Sequence, residues 1–436
     1  MSETGDTSIE PAGWRRAAFG FIFVSTVASA ISIGIMVPVL PSLLKAFTGG
    51  DTALATEWNV TFAVCGGLMG FLAGPILGLL SDRYGRRPVL LISLTGLGLD
   101  FLFMAFAPSL GWLFVGRLVS GATSGLFSTA NAYVADVTPP ERRARAFGWM
   151  GSAFTVGFLA GPAMGGLLGN YNLRYPFMAA AALTLINALY GIIVLPESLA
   201  PEHRTTAFDW RRANPLGSLR LLRSHHELLP LATVGFLNQL ANMVWPSVFV
   251  LYTSYRYHWT PGLTGMLMML GSVFGVGVQS FLVGPVVRRF GERGTLAAGT
   301  AASVAGMAWS GLAPTGLLYC CGMPINALSG LLLPGLQGLM TRLVGPTEQG
   351  QLQGANQSLS GVAAVVGPII YGLSFAWTVR HPQWGVPGLP LLLSSFTMLC
   401  CLLLALWAGR EAARRAALAP GLGAMSSPAS VQDGRV

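Results

Sequence analysis

The chain has 436 residues, 53% of them hydrophobic and 10% charged, and carries a net charge of +9 at neutral pH. A soluble domain has about 25% charged residues, so this much apolar surface calls for lipid and excludes an ordinary water-facing globule. The basic excess does not point to nucleic acid, because the arginines fall in short clusters between apolar runs and not along one face or tail.

A membrane-crossing helix needs about 20 mainly apolar residues. Such runs lie near 17–44, 58–80, 88–107, 112–135, 146–169 and 175–195, and, after a polar stretch at 196–227, near 228–253, 262–287, 295–313, 316–340, 352–378 and 387–409. Only helices and closed barrels satisfy their backbone in hydrocarbon, and these runs are about twice as long as a barrel strand. The predicted fold class is an all-α membrane protein with twelve transmembrane helices in two pseudo-symmetric six-helix bundles. Its parts are an N-terminal tail 1–16, a first bundle 17–195, a linker 196–227, a second bundle 228–409 and a disordered tail 410–436. Arg15-Arg16 and Ala28-Ser29-Ala30 imitate a secretory signal, but the apolar run between them continues to Pro38 and is read as an uncleaved first helix.

With the N-terminus in the cytoplasm, the turns on that side hold 20 Lys and Arg residues and the opposite turns 4. That bias fixes the expected orientation, both termini inside a cell (inner) membrane. The halves are also related: at an offset of 206 positions Gly78 falls on Gly284, Gly85 on Gly291, Arg87 on Arg293, Pro140 on Pro346, Gly161-Pro162 on Gly367-Pro368 and Arg174 on Arg380. Repeated bundles of this kind suit a transporter that rocks around a midplane site.

Between the second and third helices stands Gly78-Leu-Leu-Ser-Asp82-Arg83-Tyr-Gly85-Arg86-Arg87, a tight turn with one acid among three arginines. The third helix contains Asp100, the only acid well inside any span, and the fourth contains Arg117. At 1.5 Å rise per residue, Asp100 lies roughly 12 Å in from Pro108 and Arg117 roughly 8 Å in from Trp112, so a short turn brings them level. An unpaired charge at such depth costs at least about 2.5–3.5 kcal/mol, so the two are expected to pair; the pair is read as proton-responsive, with a fixed structural pair as the alternative. The fifth helix carries Gly157-x-x-x-Gly161-Pro162-Ala-Met-Gly165-Gly166, whose glycines allow close backbone approach and whose proline bends the helix.

The first of these motifs is similar to the G-x-L-x-D-R-x-G-R-R signature of the major facilitator superfamily, and the fifth-helix motif resembles that of its proton-antiporting exporters. Over nearly the whole chain the spans resemble the tetracycline-resistance branch of the drug:proton antiporters. The resemblance implies that Asp82, Arg83, Gly85, Arg86, Arg87, Asp136 and Arg145 form a cytoplasmic gate, and that the Arg117 position is the embedded arginine of the fourth helix. Where those carriers typically have acids in the first and ninth helices this chain has Ser29 and Ser303, which puts recognition of metal–tetracycline in doubt.

Polar and aromatic residues near mid-span nominate a substrate cavity: Ser29, Ser32, Ser128, Asn131, Gln239, Asn242, Trp245, Asn326, Gln337 and Gln357. Amides with aromatics in an apolar cavity suit small amphiphilic molecules. The five cysteines sit in apolar runs without metal-ligand spacing and no His lies in a span, so neither metal nor cofactor is expected. No phosphate-binding glycine loop and no convergent catalytic cluster argue against ATP-driven pumping and against an enzyme. The expected function is proton-coupled export of a small molecule by a monomer in the bilayer. A metabolite importer of the same fold is the alternative, and a non-transporting sensor a distant one.

Overall fold

The computed structural model describes residues 12–205, 228–345 and 348–418. Most of the expected linker and parts of both expected tails therefore lie outside the described residues. Among the described residues twelve membrane-length segments follow in order: α1 (Phe19–Phe47), α2 (Thr52–Tyr84), α3 (Arg86–Phe106), α4 (Leu110–Val137), α5 (Arg143–Tyr171), α6 (Tyr175–Val194), α7 (Leu228–Tyr257), α8 (261–290), α9 (292–312), α10 (Gly316–Thr341), α11 (Gln349–Arg380) and α12 (Leu389–Leu418). They make eleven continuous runs, because α8 and α9 join as Pro261–Leu312. What separates them is a single residue, Gly291, at φ 69° and ψ 178°. Its counterpart 206 positions earlier, Gly85, divides α2 from α3 at φ 104° and ψ 164°. Positive φ is cheap only for glycine, so the duplicated glycines are explained by the same turn built twice.

One expectation is corrected at the C-terminal end. The tail begins later than 410, since α12 stays helical to Leu418. The segment Glu411-Ala-Ala-Arg-Arg-Ala-Ala-Leu is made of strong helix formers, which carry the last span onward.

The first helix of every triplet is broken. α1 turns at 37–39, α4 unwinds at 123–125, α7 breaks at Met243, and α10 breaks at Gly322 and again at a 3-10 turn, Leu328–Leu331. Prolines 38, 246 and 324, which lack an N–H or crowd the preceding turn, lie at or near three of these breaks. Irregular backbone at membrane depth is tolerated where it is buried in protein or lines a cavity.

Within the bundles α1 packs on α5, α3 on α6, and α12 on both α7 and α9; the bundles meet along α2–α11 and α5–α8. One apolar core draws on both bundles, joining Phe62, Phe101 and Phe177 to Tyr252, Tyr319, Tyr371 and Phe375. It lies at the end away from the arginine-rich turns. Towards the basic end the cores are separate, one around Leu90 and Tyr133, the other around Leu336 and Leu352. A methyl group added to Gly74 or Gly78 on α2, or to Gly284 on α8, would meet nothing within 4 Å. The crevice between the bundles is thus open at the basic end and shut at the far end.

Candidate functional site

The α3–α4 hairpin positions the embedded charges. Asp100 is fully buried. Arg117 grips it with two nitrogens: Nε donates to Oδ1 at 3.2 Å and Nη2 bonds Oδ2, while Nη2 also lies 3.6 Å from the Met104 sulfur. Gly116 makes room, since a methyl group there would sit 2.9 Å from Asp100 Oδ1. Bidentate charge-assisted bonds are the strong kind, and they offset part of the cost of holding two ions in hydrocarbon. Removing one partner of such a pair costs about 3–5 kcal/mol.

At the basic end Arg86 organises the turn. Its guanidinium pairs with Asp82 at 2.5 Å and with Asp136 at 3.1 Å, and also donates to Ser81 Oγ at 3.1 Å. Arg87 donates to the Ile192 carbonyl at 2.6 Å, and Arg83 lies over the Tyr84 ring. Arg145 is exposed at the start of α5 and forms no ion pair with another described residue. Glu197, not anticipated from sequence, anchors the cluster. Its carboxylate accepts the backbone N–H groups of Arg86 at 2.7 Å, Arg87 at 3.2 Å, Ser198 at 3.0 Å and Leu199 at 3.2 Å, capping α3 from the end of α6. An acid just after the Leu195-Pro196 helix end was the available signal. Glu197→Ala strands several part-buried donors, each costing about 1–3 kcal/mol; the melting temperature in detergent is expected to fall by several degrees, and an unchanged midpoint would refute the anchoring role.

The second half repeats this pair with its charges exchanged. Glu292 and Arg342 bond at 2.7 Å, and they stand 206 positions after Arg86 and Asp136. The offset already visible in the sequence would have found them.

The fifth-helix glycines form two tracks. A methyl group on Gly161 would sit 2.7 Å from the Gly34 Cα, and one on Gly157 2.6 Å from the Val27 carbonyl oxygen; Gly165 abuts Ile35 in the same way. This face holds α1, and Pro162 touches Gly34 beside it. Gly166 faces the other way, onto Pro261 and Gly262 of α8, so it belongs to the seam between the bundles. The same seam is tied by Asn170 Oδ1, which accepts from Gly262 N at 3.0 Å, by Asn59 Nδ2, which donates to the Ser247 carbonyl at 2.9 Å, and by Glu57–Arg380 at 2.6 Å.

The cavity residues divide. Ser128, Asn131, Gln337 and Gln357 are exposed within their spans, where a water-filled crevice accommodates them better than lipid. Gln239 donates to Ser360 Oγ at 2.8 Å, Asn242 to Asn238, and Trp245 packs on Phe249 6.0 Å away; all three are half-buried. Three residues require correction. Ser32 is fully buried and bonds Ala180 and Thr184 of α6, and Ser29, on the same face, is fully buried without a partner. Asn326 donates to Ser310 Oγ at 2.9 Å and to the Gly306 carbonyl of α9. Ser32 and Asn326 hold helices together, and all three are turned into a bundle by their position around the helix axis. Ser303 is buried and unpartnered like Ser29.

Residues 22–368 and, in an overlapping match, 231–431 fit the family model described as Major Facilitator Superfamily. The tetracycline resistance protein, class C, of Escherichia coli is 37% identical over 382 residues, covering 87% of this chain and 94% of that protein. Multidrug resistance protein 2 of Bacillus subtilis (strain 168) is 25% identical, covering 84% and 91%. Among solved structures, a bacterial homologue of the human lysosomal transporter Spinster, inward-facing and occupied, aligns at TM-score 0.73 with 15% identity, over 92% of this chain and 98% of that one. A human organic anion transporter aligns at 0.64 with 21% identity, over 91% and 100%.

Proposed function

The chain belongs to the major facilitator superfamily, and from that premise we propose that it exports small amphiphilic, tetracycline-like drugs across the cell membrane in exchange for protons. The observation that carries this reading is the fully buried carboxylate of Asp100 clasped by Arg117. A proton added to Asp100 removes its charge, and Arg117 is then free to seek water in the crevice. Each protonation state thus favours a different arrangement of α3 and α4, which is what coupling requires.

The basic end is cytoplasmic in this reading, with both termini on that side, and the arrangement described is the one that loads substrate from the cell interior. The Arg86 cluster and Glu292–Arg342 line the mouth that must close; the glycine seam at Gly166 is the one that must part. The activity is movement of a molecule and not bond chemistry, and a single chain holds both bundles, so the unit is a monomer. Similarity to several tetracycline resistance proteins supports the drug class. Ser29 and Ser303, buried and uncharged, leave no second carboxylate for a metal-chelated drug, so the expected cargo is the free amphiphile.

Purified protein in liposomes settles the matter. An imposed pH gradient, without ATP, is expected to drive tetracycline or a hydrophobic member of a drug panel against its concentration gradient. Facilitated movement that ignores the pH gradient across the whole panel would defeat the proposal.

A further inference from the structure

We propose that the unwound stretch of α4 is a proton port: a buried water site at Ser93 and Thr129 that passes protons, by way of Thr123, from the crevice to Asp100. The inference rests on the reading of Asp100 as proton carrier and adds the route by which the proton arrives. A route is needed because Asp100 is fully buried, with both carboxylate oxygens taken by Arg117.

The hydroxyls that form it stand out by what they lack. Serines and threonines within spans commonly donate to the carbonyl one turn back, as Ser32, Thr56, Ser152 and Thr300 do here. Ser93 and Thr129 are 1% and 2% exposed, and their hydroxyls have no hydrogen-bond partner among the described residues. An unsatisfied buried hydroxyl costs about 1–3 kcal/mol, and a bound water is the usual remedy in a polar pocket. Both sit at the break. Ser93 Oγ lies 3.3 Å from where a side chain on Gly125 would begin, and Thr129 is in the first turn of the lower segment Leu126–Val137, its N–H on the Gly125 carbonyl. The first amide groups of that 12-residue segment lack helical acceptors, offering further donors to a water placed there.

From the break the path rises along one face of α3. Ser93, Gly96 and Asp100 follow at successive turns, roughly 5 Å apart. Gly96 has no side chain, and the Thr123 hydroxyl fills the space against it. Thr123 donates to the Val119 carbonyl at 2.9 Å, which leaves its lone pairs free to accept. On the crevice side Ser124 and Ser128 are exposed, so water reaches the break. Each hop moves one proton: Thr123 accepts on a lone pair, turns its hydroxyl from the Val119 carbonyl and releases its own proton to a second water, which spans the roughly 6 Å turn of helix up to Asp100; nothing else is consumed. Among the described residues the titratable groups near the Asp100 level are Arg117 on α4 and Cys65 on α2, next to Gly66, where an added methyl group would lie 4.0 Å from the Arg117 carbonyl oxygen. Arg174, at the start of α6, is turned to the carbonyls of Ala105 and Ala107.

The test needs no known cargo. Full-length protein in liposomes is followed by time-resolved infrared spectroscopy after a pH drop, tracking the carboxylic-acid band that Asp100→Asn removes. In the Ser93→Ala/Thr129→Val protein the band is expected to rise at least about tenfold more slowly, a barrier change near 1.4 kcal/mol, and to reach the same final height. Ser93→Thr keeps the hydroxyl and should keep the rate; Thr123→Val, equal in volume, gives a second slow variant should the double one fail to fold. Unaltered rates in the slow variants overturn the port while leaving the Asp100 reading standing. If no pH-dependent band is assignable to Asp100 in the unaltered protein, the carrier reading fails, and the port falls with it.

Discussion

Asp100→Asn is expected to cut pH-gradient-driven transport sharply while sparing counterflow, the exchange of labelled for unlabelled substrate that needs no net proton movement. Asparagine matches the protonated carboxyl in size and still offers Arg117 a hydrogen bond, so the bundle should assemble. What disappears is the alternation between charged and neutral forms. Couplings between sites are worth about 1–3 kcal/mol, so response to the gradient should drop by up to about a hundredfold. Asp100→Ala should behave differently: it leaves Arg117 embedded with neither a counter-ion nor a carboxylate acceptor for its N–H groups, at about 3–5 kcal/mol, and is expected to depress yield of folded protein. Full gradient-driven accumulation by the asparagine variant would remove Asp100 from the coupling step.

Gly166→Leu is expected to tip the molecule away from the state described. A methyl group at this position already meets the Gly262 Cα at 3.0 Å and the Pro261 carbonyl carbon at 3.0 Å; leucine adds three more carbons between two backbones. Overpacking of that sort costs about 1–3 kcal/mol, and it is paid only while α5 and α8 are pressed together. The closed far end should therefore lose population by a factor of about 5–150. Labelling of a cysteine introduced at Ser247, beside the Asn59 tie, should accelerate accordingly; identical labelling with and without leucine would show that the seam does not control access. Gly161→Leu makes the contrast, because its neighbour Gly34 lies in the same bundle, and it should lower stability without shifting access.

Much of this was legible in the residues because lipid leaves few options. A run of 20 apolar residues must be a helix, and arginines must leave the hydrocarbon. Asp100 and Arg117 had to find each other, since each alone is too costly at that depth and a short hairpin sets them level. The uncharged polar residues were harder. Ser32 and Asn326 satisfy the same sequence rule as Ser128 and Gln337, yet the first two turn into their bundles and the others lie exposed. Rotation about a helix axis is set by packing against neighbours, and nothing local records it. Glu197 escaped for a related reason: its partners are backbone N–H groups more than 100 positions away, which no side-chain motif advertises. Arg145 matches the gate pattern by resemblance but, among the described residues, has no ion pair to the Arg86 cluster.

The core shared by both bundles at the far end sets the rhythm of the cycle. Parting it wets a tightly packed set of rings, among them Phe62, Tyr252 and Phe375, whereas parting the opposite mouth disturbs mainly ions that water solvates well. Hydration of apolar surface carries a large heat capacity, so the return stroke should govern the pace and give it a curved dependence on temperature. An idle molecule then waits with its basic end open, ready for cargo before it is ready for a proton.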